Sequence, residues 1–439
     1  MTKEKKDDGL NLKIESKDID PGALFIIKKL NDFGFEAFTV GGCIRNLVME
    51  KKVNDWDIVT QAAPREIAEI FSNFKVVPIG EKYGTIMVVI DPINYQISTY
   101  KSKSGTLPGL QNDLRCRDFT VNGLAWNEKK GIIDCSNGLE DIKQKIIRFT
   151  GDAQDRIKED PLRMLRAVRL ACEFDFTIEE ATIKAINNNC EMLRKISRER
   201  IRDEFVKILL SNYPRRGIKL LYRLELLGFV MPELQGCVGI KKEHLQNNED
   251  LFEYTLNLLE NLPSNIILRL CMILYFIKSI SKLEDREEIT TKILKRIRFK
   301  NTIIKKVNIM TQENWETIHF SEKGKIRQLA SRIGMESLED FWELKKAFIK
   351  ESQSLEKTKS IKIEIAENNI REILQERPPV SLKDLAVNGK DLIRLGYKEG
   401  EEVGQMLKKI LKLVVEKPAL NQKRILLNQV NRKNIPFDH

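Results

Sequence analysis

Asp55 and Asp57 stand one residue apart in Val53-Asn54-Asp55-Trp56-Asp57-Ile58-Val59, shortly after Gly41-Gly42-Cys43-Ile44-Arg45. The Val53 to Val59 stretch reads as a short strand, whose two-residue period puts both carboxylates on one face. Two like charges that close raise each other's energy unless a cation lies between them, which favours a hard divalent ion with oxygen ligands. A glycine pair lets the backbone approach a bulky anion, because no Cβ intervenes. Carboxylates, a divalent ion and a nearby phosphate together point to Mg²⁺ and in-line displacement at phosphorus. Asp-x-Asp alone is also common in solvated turns. Gly41, Gly42 and Arg45, at a turn leading into a helix, tip the reading toward phosphate chemistry.

A second cluster, Asp113-Leu114-Arg115-Cys116-Arg117-Asp118-Phe119-Thr120-Val121-Asn122-Gly123, sets Arg117 beside Asp118. The guanidinium can hold a phosphate and the carboxylate a ribose hydroxyl, although the same pair could be a structural ion pair at a strand end. Further on, Glu159-Asp160-Pro161-Leu162-Arg163 opens a helical segment in which Arg163, Arg166 and Arg169 form a basic ridge. Pro161 is expected early in that helix, where its missing N–H costs nothing. Asp160 and Arg163 can face one way from the first turn; the plain alternative is a capped helix with an exposed ion pair. Two smaller signals are Gly138-Leu139-Glu140-Asp141 with Arg148, which reads as a turn, and Ser197-Arg198-Glu199-Arg200-Ile201. There Ser197 is a fair N-cap for another helix.

The scaffold that must position these residues changes character along the chain. Between about 23 and 149, helix-like segments (23–33, 44–49, 64–74) alternate with strand-like ones (37–40, 85–90, 95–100), the last two joined at Asp91-Pro92. This is a small α/β head. From Asp155 onward only helical periodicity remains, over 162–174, 178–193, 200–210, 217–226, 251–262, 265–279 and 289–298. Pro378-Pro379 marks a boundary before a final helical unit. The expected division is an N-terminal extension (1–22), the head (23–150) and three helical parts, a neck (151–215), a body (216–378) and a tail (379–439).

Lys and Arg number 75 against 64 Asp and Glu over 439 residues, an excess that suits a polyanionic partner. With only 7% aromatic residues, stacking on many unpaired bases is not the expected grip, and basic helices on an RNA backbone fit better. Lys292, Lys295, Arg296, Arg298, Lys300, Lys305 and Lys306 could supply such contacts, and a solvated helical face explains them equally well. Seven cysteines without a Cys-x-x-Cys pair suggest reduced thiols and a cytoplasmic location. The three histidines, His244, His319 and His439, leave metal and acid–base chemistry to carboxylates. No apolar run reaches membrane-spanning length, and the charged start, Met1 to Asp8, does not read as a signal peptide, so no membrane role is expected.

Taken in order, the five clusters resemble the motifs of the bacterial tRNA nucleotidyltransferase and poly(A) polymerase branch of the polymerase β superfamily, from about Phe38 to Leu234. The resemblance implies an α/β nucleotidyltransferase head, a small mixed β-sheet with flanking helices, followed by an elongated all-α neck, body and tail. It implies template-independent nucleotide addition to an RNA 3′-hydroxyl, with Mg²⁺ on Asp55 and Asp57. Gly41, Gly42 and Arg45 would cradle the triphosphate, and Arg117 and Asp118 would secure phosphate and ribose. Asp160 would accept a hydrogen bond from the exocyclic amine of C or A while Arg163 donates to ring acceptors, with Arg166 and Arg169 completing the nucleotide-binding ridge. U and G lack that amine and would leave the carboxylate unpaired. Gly138 to Asp141 with Arg148 matches the hinge between head and neck, and Ser197 to Ile201 a brace for the nucleotide-binding helix.

Gly80-Glu81-Lys82-Tyr83-Gly84-Thr85, and the run from Asp384 to Ile393 with Gly396, Gly400 and Gly404, resemble tRNA nucleotidyltransferases more than poly(A) polymerases. The implied partners are tRNA, held at its 3′ end and acceptor/T-arm, with CTP and ATP as substrates. Only eleven residues separate Lys101 from Asp113. Members that complete CCA carry a longer flexible loop there, so the expectation is CC addition with weak or absent A addition, and a separate A-adding enzyme acting in succession. Three departures stand out: Cys116 replaces an arginine, Gln96 a glutamate and Asn46 an aspartate. Glu243 to Tyr254 aligns with a region that binds metal in some relatives, but Tyr254 holds the second histidine's place, so phosphohydrolase activity is not expected. The alternatives are a poly(A) polymerase of the same branch and a catalytically weakened RNA-binding paralogue.

Overall fold

The computed structural model describes residues 10–79, 84–101, 109–241, 249–277, 286–315, 317–351 and 356–430. The chain divides into two compact units, Met1–Val230 and Met231–His439.

In the first unit, α1 (Pro21–Asp32) starts where Asp20 accepts hydrogen bonds from the Gly22 and Ala23 amides, with Pro21 at the first helical position. Its Ala23, Ile26, Ile27 and Leu30 recur at helical spacing and are buried. Then follow β1 (Ala37–Val40), α2 (Gly42–Val48), β2 (Trp56–Thr60), α3 (Pro64–Ile70), β3 (Lys75–Pro78), β4 (Thr85–Ile90) and β5 (Ile93–Thr99). After α4 (Leu110–Arg115), β6 (Leu124–Asn127) and β7 (Gly131–Asp134) complete a seven-stranded sheet of order β3-β4-β5-β2-β1-β6-β7. Only β2 and β5 run parallel, in a register that sets Asp57 opposite Gln96; the other pairs are antiparallel. The head is therefore the mixed sheet that the resemblance implied. Strands β3, β6 and β7 carried no distinct signal: β6 is buried at every position and β7 half-buried at every position, so neither alternates.

The chain continues through α5 (Gly138–Gln144), β8 (Ile146–Ile147), α6 (Ala153–Glu159), α7 (Arg163–Phe174), β9 (Thr177–Ile178), α8 (Glu180–Asn189), α9 (Arg198–Leu210) and α10 (Pro214–Arg223). Two expectations need correction. Strands do not stop at Asp155, because β9 pairs in parallel with β8. Pro161 is not inside the helix: α7 starts at Arg163, and Asp160 is extended at φ −151°. The proline ring disfavours helical backbone at the preceding residue, so Asp160 breaks α6 from α7. That break sits in the middle of the candidate base-reading motif.

The second unit is helical throughout its described residues. Trp315 and Tyr275 stack at 4.0 Å within one aromatic cluster. Val387, Leu392, Tyr397, Val403, Ile410, Val414, Leu426 and Val430 form a separate core beyond Pro378-Pro379. Gly404 lies within the helix Glu401–Glu416 and not at a junction. Arg296 is paired with Glu233 at 2.7 Å, which offsets its charge. The stretches 80–83, 102–108 and 243–248, His439 and Met1 to Asp8 lie outside the described residues. No helix among the described residues is long and apolar enough to cross a membrane.

Gly138 opens α5 against the 120–122 turn, and a Cβ there would lie 2.2 Å from the Thr120 carbonyl oxygen. Backbone cannot yield as a flexible side chain can. Gly138→Ala is therefore expected to lower unfolding free energy by about 1–3 kcal/mol despite alanine's helix propensity. Gly109→Ala, with open space around its Cβ but at the N-cap of α4, is the comparison and is expected to cost less, about 0.5–1 kcal/mol in chemical denaturation.

Candidate nucleotide-binding site

A cavity of about 310 Å³ is lined by Val59, Ser98, Lys101, Asp113, Cys116, Arg117, Asp118, Asp160, Arg163 and Arg166. It draws on the ends of β2 and β5, α4 with the loop after it, and the α6–α7 junction. Five of the site residues expected from the sequence thus line one cavity: Arg117, Asp118, Asp160, Arg163 and Arg166. Lys101 and Asp113, named in the sequence as the ends of the short loop but not as site residues, also line it, and the Lys101 amide donates to Asp113 Oδ1 at 3.0 Å. The segment between them therefore starts and ends at the cavity.

Arg117 is held by Asp113 at 3.1 Å. A Cβ on Gly41 would lie 2.8 Å from Arg117 Nη1, and Gly41 has φ +81°, so only glycine suits the position. Asp118 is buried, with Oδ1 accepting from the Phe119 amide at 2.9 Å and Asn122 Nδ2 at 3.1 Å, while Oδ2 lies 2.7 Å from Arg166 Nη2. Burial alone would raise its pKa, but Arg166, Asn122, the Phe119 amide and Arg163 outweigh that and hold it below the usual carboxylate range.

Asp160 and Arg163 share the cavity without pairing with each other. Asp160 Oδ1 accepts from the Leu162 amide at 3.2 Å, and Oδ2 from Arg200 at 2.7 Å. Arg163 Nη1 donates to Glu159 at 2.7 Å and to the Arg156 carbonyl at 2.9 Å. Glu159 in turn takes Arg156 Nη2 at 2.5 Å. Arg156 escaped the sequence reading because nothing in its spacing distinguishes a buried arginine from an exposed one; its only signal is its place three residues before Glu159.

Asp55 precedes β2 and is exposed; Asp57 lies within the strand and is half-buried. Burial raises the Asp57 pKa, Asp55 adds to the rise, and Arg117, Lys101 and Arg166 oppose it; the net lies above the usual carboxylate range. Those same cations place Asp57 in the electrostatic field of the cavity. Two carboxylates with Gln96 at the facing register position form an oxygen-only donor set, which fits a hard divalent ion. Among the described residues no group of three or more His, Cys, Asp or Glu ligands is gathered, so phosphate oxygens would have to complete its shell.

Arg45 and Arg169 do not line the cavity. Arg45 is buried, donates to Asn122 Oδ1 and Asn46 Oδ1, and lies 4.3 Å from the Phe174 ring centroid. Burial lowers its pKa to about 10, which still leaves it charged at neutral pH. Arg169 is engaged by Glu173 at 3.3 Å and Glu204 at 2.8 Å. The Gly138 to Asp141 signal is built into the fold: Asp141 accepts from Thr120 Oγ1 at 2.6 Å and from Arg148 Nε at 3.2 Å.

Residues 37–148 match the Poly A polymerase head domain, 175–237 the family described as "Probable RNA and SrmB- binding site of polymerase A", and 277–430 tRNA nucleotidyltransferase domain 2. A CCA-adding enzyme of Pediococcus pentosaceus is 33% identical over 93% of this chain and 96% of its own. One of Lactobacillus helveticus is 34% identical over 90% and 92%. Among solved structures, the Bacillus stearothermophilus CCA-adding enzyme in complex with CTP has a TM-score of 0.76 at 27% identity, covering 94% of this chain and 99% of that one. The Thermotoga maritima CCA-adding enzyme complexed with tRNA shares the fold, with a TM-score of 0.60 at 21% identity.

Asp118 contributes while ionised: its share of stability is complete above its unfolded pKa and is lost as pH falls through the lower folded value. Arg166→Gln removes the nearest cation, so the folded pKa rises and the ionised form disappears at higher pH. The acid limb of a pH–stability profile is expected to move upward. The loss at neutral pH is about 1–3 kcal/mol, below that of a fully buried pair because the Arg166 side chain is 35% exposed.

Proposed function

This chain belongs to the CCA-adding enzymes, tRNA 3′-end nucleotidyltransferases of the polymerase β superfamily, and we propose that it adds C residues from CTP to tRNA with weak or absent addition of A. The carrying observation is the cavity that gathers Arg117, Asp118, Asp160, Arg163 and Arg166 beside Asp57. A nucleotide there has phosphates toward Gly41, Gly42 and Arg117, ribose toward Asp118, and its base against Asp160 and Arg163. Cytosine offers an amine to Asp160 and ring acceptors to Arg163. Uracil offers a carbonyl where the amine should be, leaving Asp160 facing an acceptor.

Asp55 and Asp57 would hold Mg²⁺, which when bound neutralises phosphate charge and makes the tRNA 3′-hydroxyl a better nucleophile. The chain's own part is positioning. Arg117, fixed by Asp113, orients the phosphates for in-line attack, and Asp118, fixed by Arg166 and Asn122, anchors the sugar. Arg45 acts one step back: it holds Asn122, which holds Asp118. Arg169 keeps α7 fixed to α9 through Glu204. The acceptor and T-arm of tRNA would lie on the helical body and tail, and a distinct A-adding enzyme would finish the end.

The preference for CC rests on the segment from Lys101 to Asp113, whose ends meet at the cavity and whose eleven intervening residues are fewer than in the members of the family that complete CCA. Full CCA addition is the second reading, favoured by the names of the relatives.

Incubation with tRNA lacking CCA, Mg²⁺, CTP and ATP, resolved at single-nucleotide resolution, is expected to stop after two C residues. Efficient A incorporation would establish the second reading, and long A tails on generic RNA a poly(A) polymerase. Asp55→Ala should abolish incorporation altogether. Gln96→Glu places a third carboxylate opposite Asp57 and is expected to tighten Mn²⁺ binding by about tenfold or more, read by calorimetry without nucleotide. Unchanged affinity would remove Gln96 from the metal site.

A further inference from the structure

We propose that Arg156 and Glu159 are positioning residues that set nucleobase selectivity by holding Arg163; the proposal rests on Arg163 reading the base. Arg156 is 2% exposed, and its guanidinium joins two parts of the site. Nη1 donates to the Cys116 carbonyl at 3.2 Å, and Nη2 to Glu159 Oε1 at 2.5 Å. The other oxygen of Glu159 takes Arg163 Nη1 at 2.7 Å, and the same nitrogen donates to the Arg156 carbonyl at 2.9 Å. Cys116 immediately precedes Arg117 and Asp118. One buried side chain thus ties the loop that holds phosphate and ribose to the arginine that reads the base.

Packing alone does not explain an arginine here. A buried guanidinium is unfavourable unless paired, and an apolar residue would fill the same space without that penalty. Arg156 Nε has no hydrogen-bond partner, so the position tolerates an unmatched donor to keep the other two contacts. A planar fork can reach a carbonyl and a carboxylate at once in fixed directions; a lysine ammonium cannot reproduce that geometry. Rejection of U depends on Asp160 and Arg163 being unable to turn and find other partners. Asp160 is restrained by Arg200, and Arg163 by Glu159. Freed from Glu159, Arg163 can swing to meet the uracil carbonyl, and the mismatch penalty falls.

The test compares kcat/KM for CTP and UTP on tRNA lacking CCA, using the full-length protein and Glu159→Gln, Arg156→Gln, Arg156→Lys, the Glu159→Gln/Arg156→Gln double variant and Arg163→Ala. Glu159→Gln and Arg156→Gln are each expected to lower the CTP/UTP ratio by about tenfold to a hundredfold. The double variant should be no worse than the stronger single one, since both act through one contact. Arg156→Lys should not restore the ratio. Equal losses for both nucleotides, with the ratio kept, would overturn the proposal and leave Arg156 a structural residue. Should Arg156→Gln fail to fold in a melting experiment, Glu159→Gln decides alone, because that side chain is 42% exposed. Arg163→Ala separates the two claims. If it keeps the ratio, base reading by Arg163 fails and the positioning role with it. If it collapses the ratio while the Glu159 and Arg156 variants keep it, only the positioning role fails.

Discussion

A carboxylate taken out of water must find positive charge or lose its own, and Asp118 finds Arg166 at 2.7 Å. That need organises the head. Asp118 also takes Asn122, Asn122 takes Arg45, and Arg45 lies on the ring of Phe174. Arg166 and Phe174 both belong to α7, so the contacts run from α7 through the 118–122 segment and α2 and back to α7. Asp118 and Arg45 are buried with polar partners, and through these contacts the segment bearing Arg117 and Asp118 is tied to the helix that begins with Arg163.

The division of labour around the cavity follows from what each part can hold rigid. Strand β2 carries Asp57 in register with Gln96, a placement set by backbone pairing. Asp160 and Arg163, the residues proposed to read the base, instead sit where Pro161 forces a break between two helices. There Arg200 engages Asp160 and Glu159 engages Arg163, each at 2.7 Å. Sites that discriminate by leaving the wrong partner unpaired need such restraint, since a mobile group finds another partner.

Much of this was legible in the sequence, and the reasons are particular. The glycine pair, Asp55 and Asp57, and the Arg117-Asp118 and Asp160 to Arg163 groups are local patterns, and the fold brings Arg117, Asp118, Asp160 and Arg163 to one cavity. The helix at 23–33 and the 95–100 strand followed from the apolar pattern, and the 85–90 strand from its continuous run of apolar, β-branched residues. Strands β6 and β7 did not, because their residues do not alternate in burial. Arg45 read as a phosphate ligand, yet its guanidinium is turned into the packing; sequence spacing cannot say which way a side chain points. Arg169, read as part of a basic ridge, is taken up by Glu173 and Glu204, the latter thirty-five residues away. Partners that distant in the chain carry no local signature.

The central claim is that Asp160 and Arg163 read the edge of the base directly. The most direct measurement is a crystal structure of this protein with CTP and a non-reactive metal. The account predicts the cytosine amine within hydrogen-bonding distance of the Asp160 carboxylate and its ring acceptors facing Arg163, with the ribose at Asp118. A base stacked elsewhere, or one whose edge meets only solvent, would contradict it.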